Sequence, residues 1–279
     1  MPREKSFTLI ELLVVIAIIG LITSVALVAI DLPGQRQKAR IAKTLEFSSS
    51  IQNALGSEAR GIWDFDENGG TVATDRSGYG NNGTLNNFIS PNGYVNDTPQ
   101  AIVSASQGQG KYSLSFDGGG DYVDLGTGAS LNFADSAPWS FEMWAKLAVS
   151  NGVFVRSTSD SNPALKLSAT AFTFYRPNPY QLDSVTIDNL ANVWSHIVLS
   201  TDSSRNMKVY QNGVYKGVIA LTSSQMVFRY LGYTDAYHSW WFGGLIDDVR
   251  IYAQALTIGQ IQQHYAEELE GHQNLAINK

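Results

Sequence analysis

"KVYQNGVYKG", Lys208 to Gly217, decides the fold. Asn212-Gly213 stands between two alternating runs, and Asn-Gly accepts the positive backbone angles that a two-residue turn between twisted strands requires, so the stretch reads as a β-hairpin. Working outward, short alternating runs separated by Gly, Asn, Asp and Ser continue from Arg60 onward, the pattern of a sandwich or barrel. Strands are expected at Tyr112 to Asp117, Asp121 to Leu125, Trp139 to Ala148, Val193 to Thr201 and Leu245 to Tyr252. Two packed antiparallel sheets bury alternate residues, such as Phe141 with Met143 and Val249 with Ile251. Thr257 to Tyr265 reads as one short helix, with Thr257 as cap and Ile261 and Tyr265 placed to pack back on the sheet. Residues 86 to 110 show no periodicity and read as a long surface loop.

Composition agrees with this pattern. Apolar residues make up 44% of the 279 and charged residues 16%, and 25 glycines with 13 tyrosines favour turns and strands. Cysteine is absent, which excludes disulfides and thiolate metal sites. Charge divides unevenly: residues 1 to 60 carry seven Lys/Arg against five Asp/Glu (+2), and the remainder twelve against twenty (−8). An acidic β region is a poor partner for nucleic acid, and none is expected.

The first 60 residues are of another kind. Phe7 to Ile30 is an apolar run of 24 residues, about 36 Å as a helix, enough to cross a bilayer with some tilt. It carries one acid, Glu11, which lipid penalises. The basic leader MPREKS precedes the run, opposite to the order of a secretory cleavage site. From Gln35 to Leu55 a narrow stripe of Ile41, Leu45, Ile51 and Leu55 continues the helical reading, with a kink expected at Pro33-Gly34 and a stop at Gly56. A plain signal anchor, with Glu11 close to the headgroups, is the competing reading.

Lys5 to Gly20, "KSFTLIELLVVIAIIG", resembles the N-terminal signature of type IV prepilins and secretion pseudopilins. The resemblance implies that a prepilin peptidase cuts between Ser6 and Phe7, and that the new Phe7 amine is methylated. Ser6 stands where that family usually has Gly. It further implies that Glu11 pairs with the Phe7 amine of a neighbouring subunit in a helical filament, which removes most of the cost of a buried carboxylate. The precursor then waits in the cytoplasmic membrane with its leader inside, and the assembled form lies at the cell surface. The basic residues Arg36, Lys38, Arg40 and Lys43 oppose that orientation by count, but long following domains translocate largely regardless of charge.

The landmarks "GIWDFDENGGTVATDRSGYGNNGTL", "YSLSFDGGGDYVDLG", "WSFEMWAKL", "VWSHIVLS", "MKVYQNGVYKG" and "FGGLIDDVRIYAQALTIGQIQQHY" resemble the laminin-G-like, concanavalin A-like lectin/glucanase jelly roll. The expected fold is thus a long N-terminal α-helix, membrane-spanning before assembly, followed by an all-β antiparallel jelly-roll sandwich. The divisions are a leader at 1–6, the helix at 7–56, a linker at 57–60, the sandwich at 61–266 and a polar tail at 267–279. Pilins normally fold the projecting half of the helix onto a small β-sheet; here a lectin-like domain follows instead.

Glucanases of this fold carry an E-x-D-x-x-E arrangement on one strand, and that spacing is missing; Glu142 is the lone acid of its strand, so no catalytic residue is assigned. His196, His238, His264 and His272 lack the spacing of a zinc helix or a nucleophile triad. Calcium suits the oxygen-rich loop "DRSGYGNNG", with Asp75 and Asn82 as candidate ligands, and the resemblance implies a further acid from the last strand, Asp247. The alternative is that Asp75 caps its own turn and Asp247 accepts backbone hydrogen bonds. A glycan ligand needs aromatic faces at a loop, and Tyr175, Tyr180, Tyr233, Tyr237, Trp240 and Trp241 supply them. A contact between neighbouring subunits would use the same residues. The reading is a filament subunit displaying a lectin-like sandwich for adhesion or glycan binding. A minor pilin or secretion pseudopilin is the alternative, and a membrane-anchored polysaccharide-active enzyme the second.

Overall fold

The computed structural model describes residues 9–10, 12–19, 58–89, 93–99, 112–148, 151–157, 163–234 and 240–273. The chain divides into two compact units, Met1–Gln52 and Asn53–Lys279. In the first, residues 9–10 and 12–19 are helical. Leu12, Leu13, Ile16, Ile18 and Ile19 are each more than half exposed there. Among the described residues no helix is long and apolar enough to cross a membrane. Ser6, Phe7, Glu11, Pro33-Gly34 and the stripe from Ile41 to Leu55 lie outside the described residues.

The second unit is a sandwich of two eight-stranded sheets with a short ribbon, Asn132–Phe133 with Met226–Val227. The front sheet runs in the order Val214–Ala220, Asn206–Gln211, Ser195–Thr201, Trp139–Leu147, Gly243–Tyr252, Ser113–Asp117, Tyr94–Val95, and Ala59–Trp63 also pairs with Gly243–Tyr252. The back sheet runs Tyr180–Thr186, Ala171–Pro177, Ala164–Ser168, Asn151–Arg156, Tyr230–Leu231, Tyr122–Asp124, Gly83–Asn86, Val72–Ala73. Every one of these strand pairings is antiparallel.

The opening hairpin forms as its sequence dictates. Asn212 and Gly213 have φ of 51° and 73°, and the turn sets Gln211 opposite Val214. Phe141, Met143, Val249 and Ile251 all point inward with no exposed surface. They join Trp63, Phe154, Phe172 and Phe228 in one core, where Phe141 and Phe228 stack with ring centres 5.7 Å apart.

On the other face of Trp139–Leu147, Glu142 and Trp144 are buried as well. The helix Ile258–Gln273 covers them. Its start is a reciprocal cap: Gln260 N–H donates to Thr257 Oγ1 at 3.3 Å, and Thr257 N–H donates to Gln260 Oε1 at 2.8 Å. Ile261 is buried, and Tyr265 stacks on Trp144 at 5.8 Å.

Three boundaries differ from expectation. The first strand begins at Ala59, ahead of Gly61, because residues 59–63 extend the ladder against Tyr252 to Val249. Tyr94–Val95 forms an edge strand within the expected loop, held by pairing to Leu114 and Ser113 and by Ser115 N–H donating to Gly93 O at 2.7 Å. A two-residue strand is too short to show alternation. The closing helix continues past residue 266 to Gln273, into the expected tail.

Candidate functional site

The outer face of the back sheet is built by alternation. Leu165, Leu167, Phe172, Phe174 and Val185 enter the core, so Lys166, Thr173, Tyr175, Leu182 and Ser184 stand on the other side. Register arranges these in rows. Lys166 lies opposite Thr173, and Thr173 opposite Ser184, with the two hydroxyls 2.8 Å apart. In the adjoining row Tyr175 lies opposite Leu182, which is 53% exposed. Tyr180, across from Pro177, is 69% exposed.

A crossing segment completes the face. Val153 N–H donates to the Trp240 carbonyl at 2.8 Å, and Trp241 bridges Val153. Gly152 permits this approach: a Cβ there would lie 2.6 Å from Phe242 Cα and 2.8 Å from the Trp241 carbonyl oxygen. Phe242 anchors the segment in the core. Trp240 then meets Tyr175 edge-on at 5.9 Å, and Tyr180 meets Tyr175 edge-on at 6.4 Å. Trp241 meets Tyr233 at 5.5 Å, and Tyr233 continues to Tyr230 at 4.7 Å and Tyr122 at 5.2 Å.

Three cations lie in this aromatic field, one of them Arg156, set opposite Tyr230 and Ala164 by register. Arg229 is neutralised by Asp124 through paired bonds of 3.1 and 2.9 Å. Lys166 Nζ sits 3.4 Å from the centre of the Trp240 ring, and no carboxylate pairs with it among the described residues. Burial pushes the Lys166 ammonium below its ordinary range.

Five of the six expected sugar-facing residues, Tyr175, Tyr180, Tyr233, Trp240 and Trp241, thus gather on one sheet face; Tyr237 lies outside the described residues. Sequence reasoning missed Lys166, Thr173, Ser184, Tyr122 and Tyr230. The period of two in "ALKLS" and "AFTFYRP" was the signal that could have placed Lys166 and Thr173 beside Tyr175.

The calcium candidates are used differently. Asp75 Oδ1 accepts the N–H groups of Ile62 at 3.0 Å and Ser77 at 2.9 Å, and Oδ2 accepts that of Asn81 at 2.8 Å. Burial opposes ionisation, but these hydrogen bonds outweigh it and hold the Asp75 carboxyl below the usual range. Asn82 Oδ1 accepts the N–H of Asp75 at 2.9 Å, and Asp247 accepts that of Asp248 at 2.9 Å. Among the described residues no group of three acidic or imidazole side chains is placed to hold a metal ion. These contacts fit turn construction, with Asp75 and Asn82 directed at backbone N–H groups.

Glu142, alone on its strand in sequence, has company in space. It receives Arg250 Nη1 at 3.0 Å, the Tyr252 hydroxyl at 3.0 Å and His264 Nδ1 at 2.8 Å, with His196 Nε2 at 3.9 Å. Burial alone would raise its pKa, yet His264, Arg250 and His196 together hold it below the carboxylate range. With no exposed surface, this carboxylate does not reach a sugar.

Two antiparallel sheets with an open aromatic face define a lectin-like β-sandwich. Residues 116–262 match the family model of the concanavalin A-like lectin/glucanases superfamily, 147 of the 279 residues, and the chain belongs to that superfamily. Residues 1–27 match the prokaryotic N-terminal methylation motif, the motif of type IV pilins. No curated protein matches the chain.

Among solved structures, the chain is similar to the botulinum neurotoxin serotype D binding domain, with TM-score 0.54 and 15% identity over 78% of this chain and 53% of that one. The binding domain of Paraclostridial Mosquitocidal Protein 1 gives 0.54 and 12%, over 77% and 53%. Domain 4 of AbnA, a GH43 extracellular arabinanase from Geobacillus stearothermophilus in complex with arabinotriose, gives 0.51 and 20%, over 74% and 97%. The chain spans about half the length of the first two, and at these identities the likeness is one of fold.

Proposed function

We propose that the chain is a subunit of a type IV pilus-like filament that displays a glycan-binding sandwich at the cell surface. The carrying observation is the union, in one chain, of the methylation motif at 1–27 with a sandwich whose open face bears Tyr175, Tyr180 and Trp240. The exposed apolar side chains Leu12, Leu13, Ile16, Ile18 and Ile19 support it, since such a surface requires lipid or other copies of itself. Prepilin peptidase releases Phe7, and Glu11 of one subunit meets the Phe7 amine of the next. The arabinotriose held by the AbnA domain supports a sugar ligand by likeness of fold alone. Adhesion follows as the use of such a filament.

Mass spectrometry of the mature N-terminus tests this reading. A chain beginning at methylated Phe7 is expected, and an uncut chain beginning at Met1 overturns it. Glu11→Ala should then lower filament yield without changing the amount of processed subunit.

A further inference from the structure

We infer that the open face selects an acidic sugar, and that Lys166 receives its carboxylate; this rests on the glycan-binding reading above. Tyr175, Tyr180 and Trp240 offer apolar faces on which a pyranose ring can stack. The row formed by Lys166, Thr173 and Ser184 offers one ammonium and two hydroxyls beside them. A neutral sugar needs the hydroxyls and the rings but has no use for a cation.

The fold gives the ammonium an aromatic partner but, among the described residues, no counter-ion. Arg229, in the same aromatic field, has Asp124 as counter-ion, whereas Lys166 stands over Trp240 with no carboxylate partner among the described residues. A half-buried cation without a counter-ion carries a desolvation cost that an arriving carboxylate relieves. The domain's acidic balance works in the same direction on specificity. Beyond residue 60 the chain has twelve basic against twenty acidic residues, so its long-range field repels a polyanion. A single carboxylate delivered at short range to Lys166 is recognised, and a densely charged chain is not.

The test uses the full-length chain in detergent and a panel of uronic- and sialic-acid oligosaccharides, each paired with its carboxyl-reduced, neutral form. At least one acidic member should bind about tenfold or more tightly than its reduced partner. Lys166→Met, which keeps the apolar stem over Trp240, should bring the pair to equal affinity, and Lys166→Arg should restore most of the difference. Trp240→Ala should remove binding of both forms.

Equal binding of every pair by the native chain overturns the acidic selection and leaves the glycan-binding reading standing. Selection that survives Lys166→Met overturns the role of Lys166. Failure of every oligosaccharide to bind overturns both readings.

Discussion

On the front sheet Glu142, Trp144 and His196 lie beneath the closing helix and are buried; on the back sheet Tyr180 and Leu182 remain more than half exposed. The covered face holds charge as a completed set: one carboxylate receives a guanidinium, an imidazole and a hydroxyl. The open face holds an ammonium without a carboxylate among the described residues. Glu142 has no exposed surface, so its oxygens take their partners from within the protein. Water or a ligand can reach the second, so an incomplete set survives folding and becomes available for binding.

Breaking the completed set should have the largest effect. Glu142→Ala removes the anion that Arg250 and His264 share under the helix, and a loss of about 3–5 kcal/mol in unfolding free energy is expected from urea denaturation. Sugar binding by the folded fraction should persist.

Acid probes the same network without mutation. Because Glu142 has a folded pKa below its ordinary value of 4.5, it contributes stability that is fully present above that value and is lost as pH falls below it. Urea midpoints should therefore drop below about pH 4.5, and Glu142→Gln should flatten that part of the profile. A variant as acid-sensitive as the native chain would place the effect elsewhere.

Gly152→Ala joins the two halves of the comparison. The added methyl meets backbone of the 241–242 segment, which should cost about 1–3 kcal/mol in denaturation and displace Trp240. Stability and sugar binding should fall together. Trp240→Ala should separate them, changing unfolding free energy by about 1 kcal/mol or less while abolishing binding in a direct titration. Smallest of all, exchanging calcium for a chelator should leave the melting temperature within about 1 °C, since Asp75 and Asn82 spend their oxygens on backbone N–H groups.

Much of the architecture was legible because it rests on local signals. Asn212-Gly213 announces its turn, Thr257 its helix, and alternation at Phe141 and Met143 their burial. Tyr94–Val95 was hidden because two residues carry no period. The aromatic half of the site was readable from residue type. Lys166 was not, since an ammonium in "ALKLS" looks like any solvated lysine until register sets it over Trp240, some 74 residues away in sequence. The partners of Glu142 come from strands and a helix up to 122 residues distant. Ion networks of that kind leave no spacing to read.

Tryptophan indole resonances test the central claim most directly. The chain has six tryptophans; Trp63 and Trp139 are buried with their indole N–H groups bonded to Asn81 and Ser224 carbonyls, and Trp144 lies under the helix. Titrating the isotope-labelled chain with an oligosaccharide selected from the panel should move the Trp240 signal most, Trp241 next, and leave Trp63, Trp139 and Trp144 in place. Movement of Trp144 with Trp240 unchanged, or no movement at saturating sugar, would contradict the account.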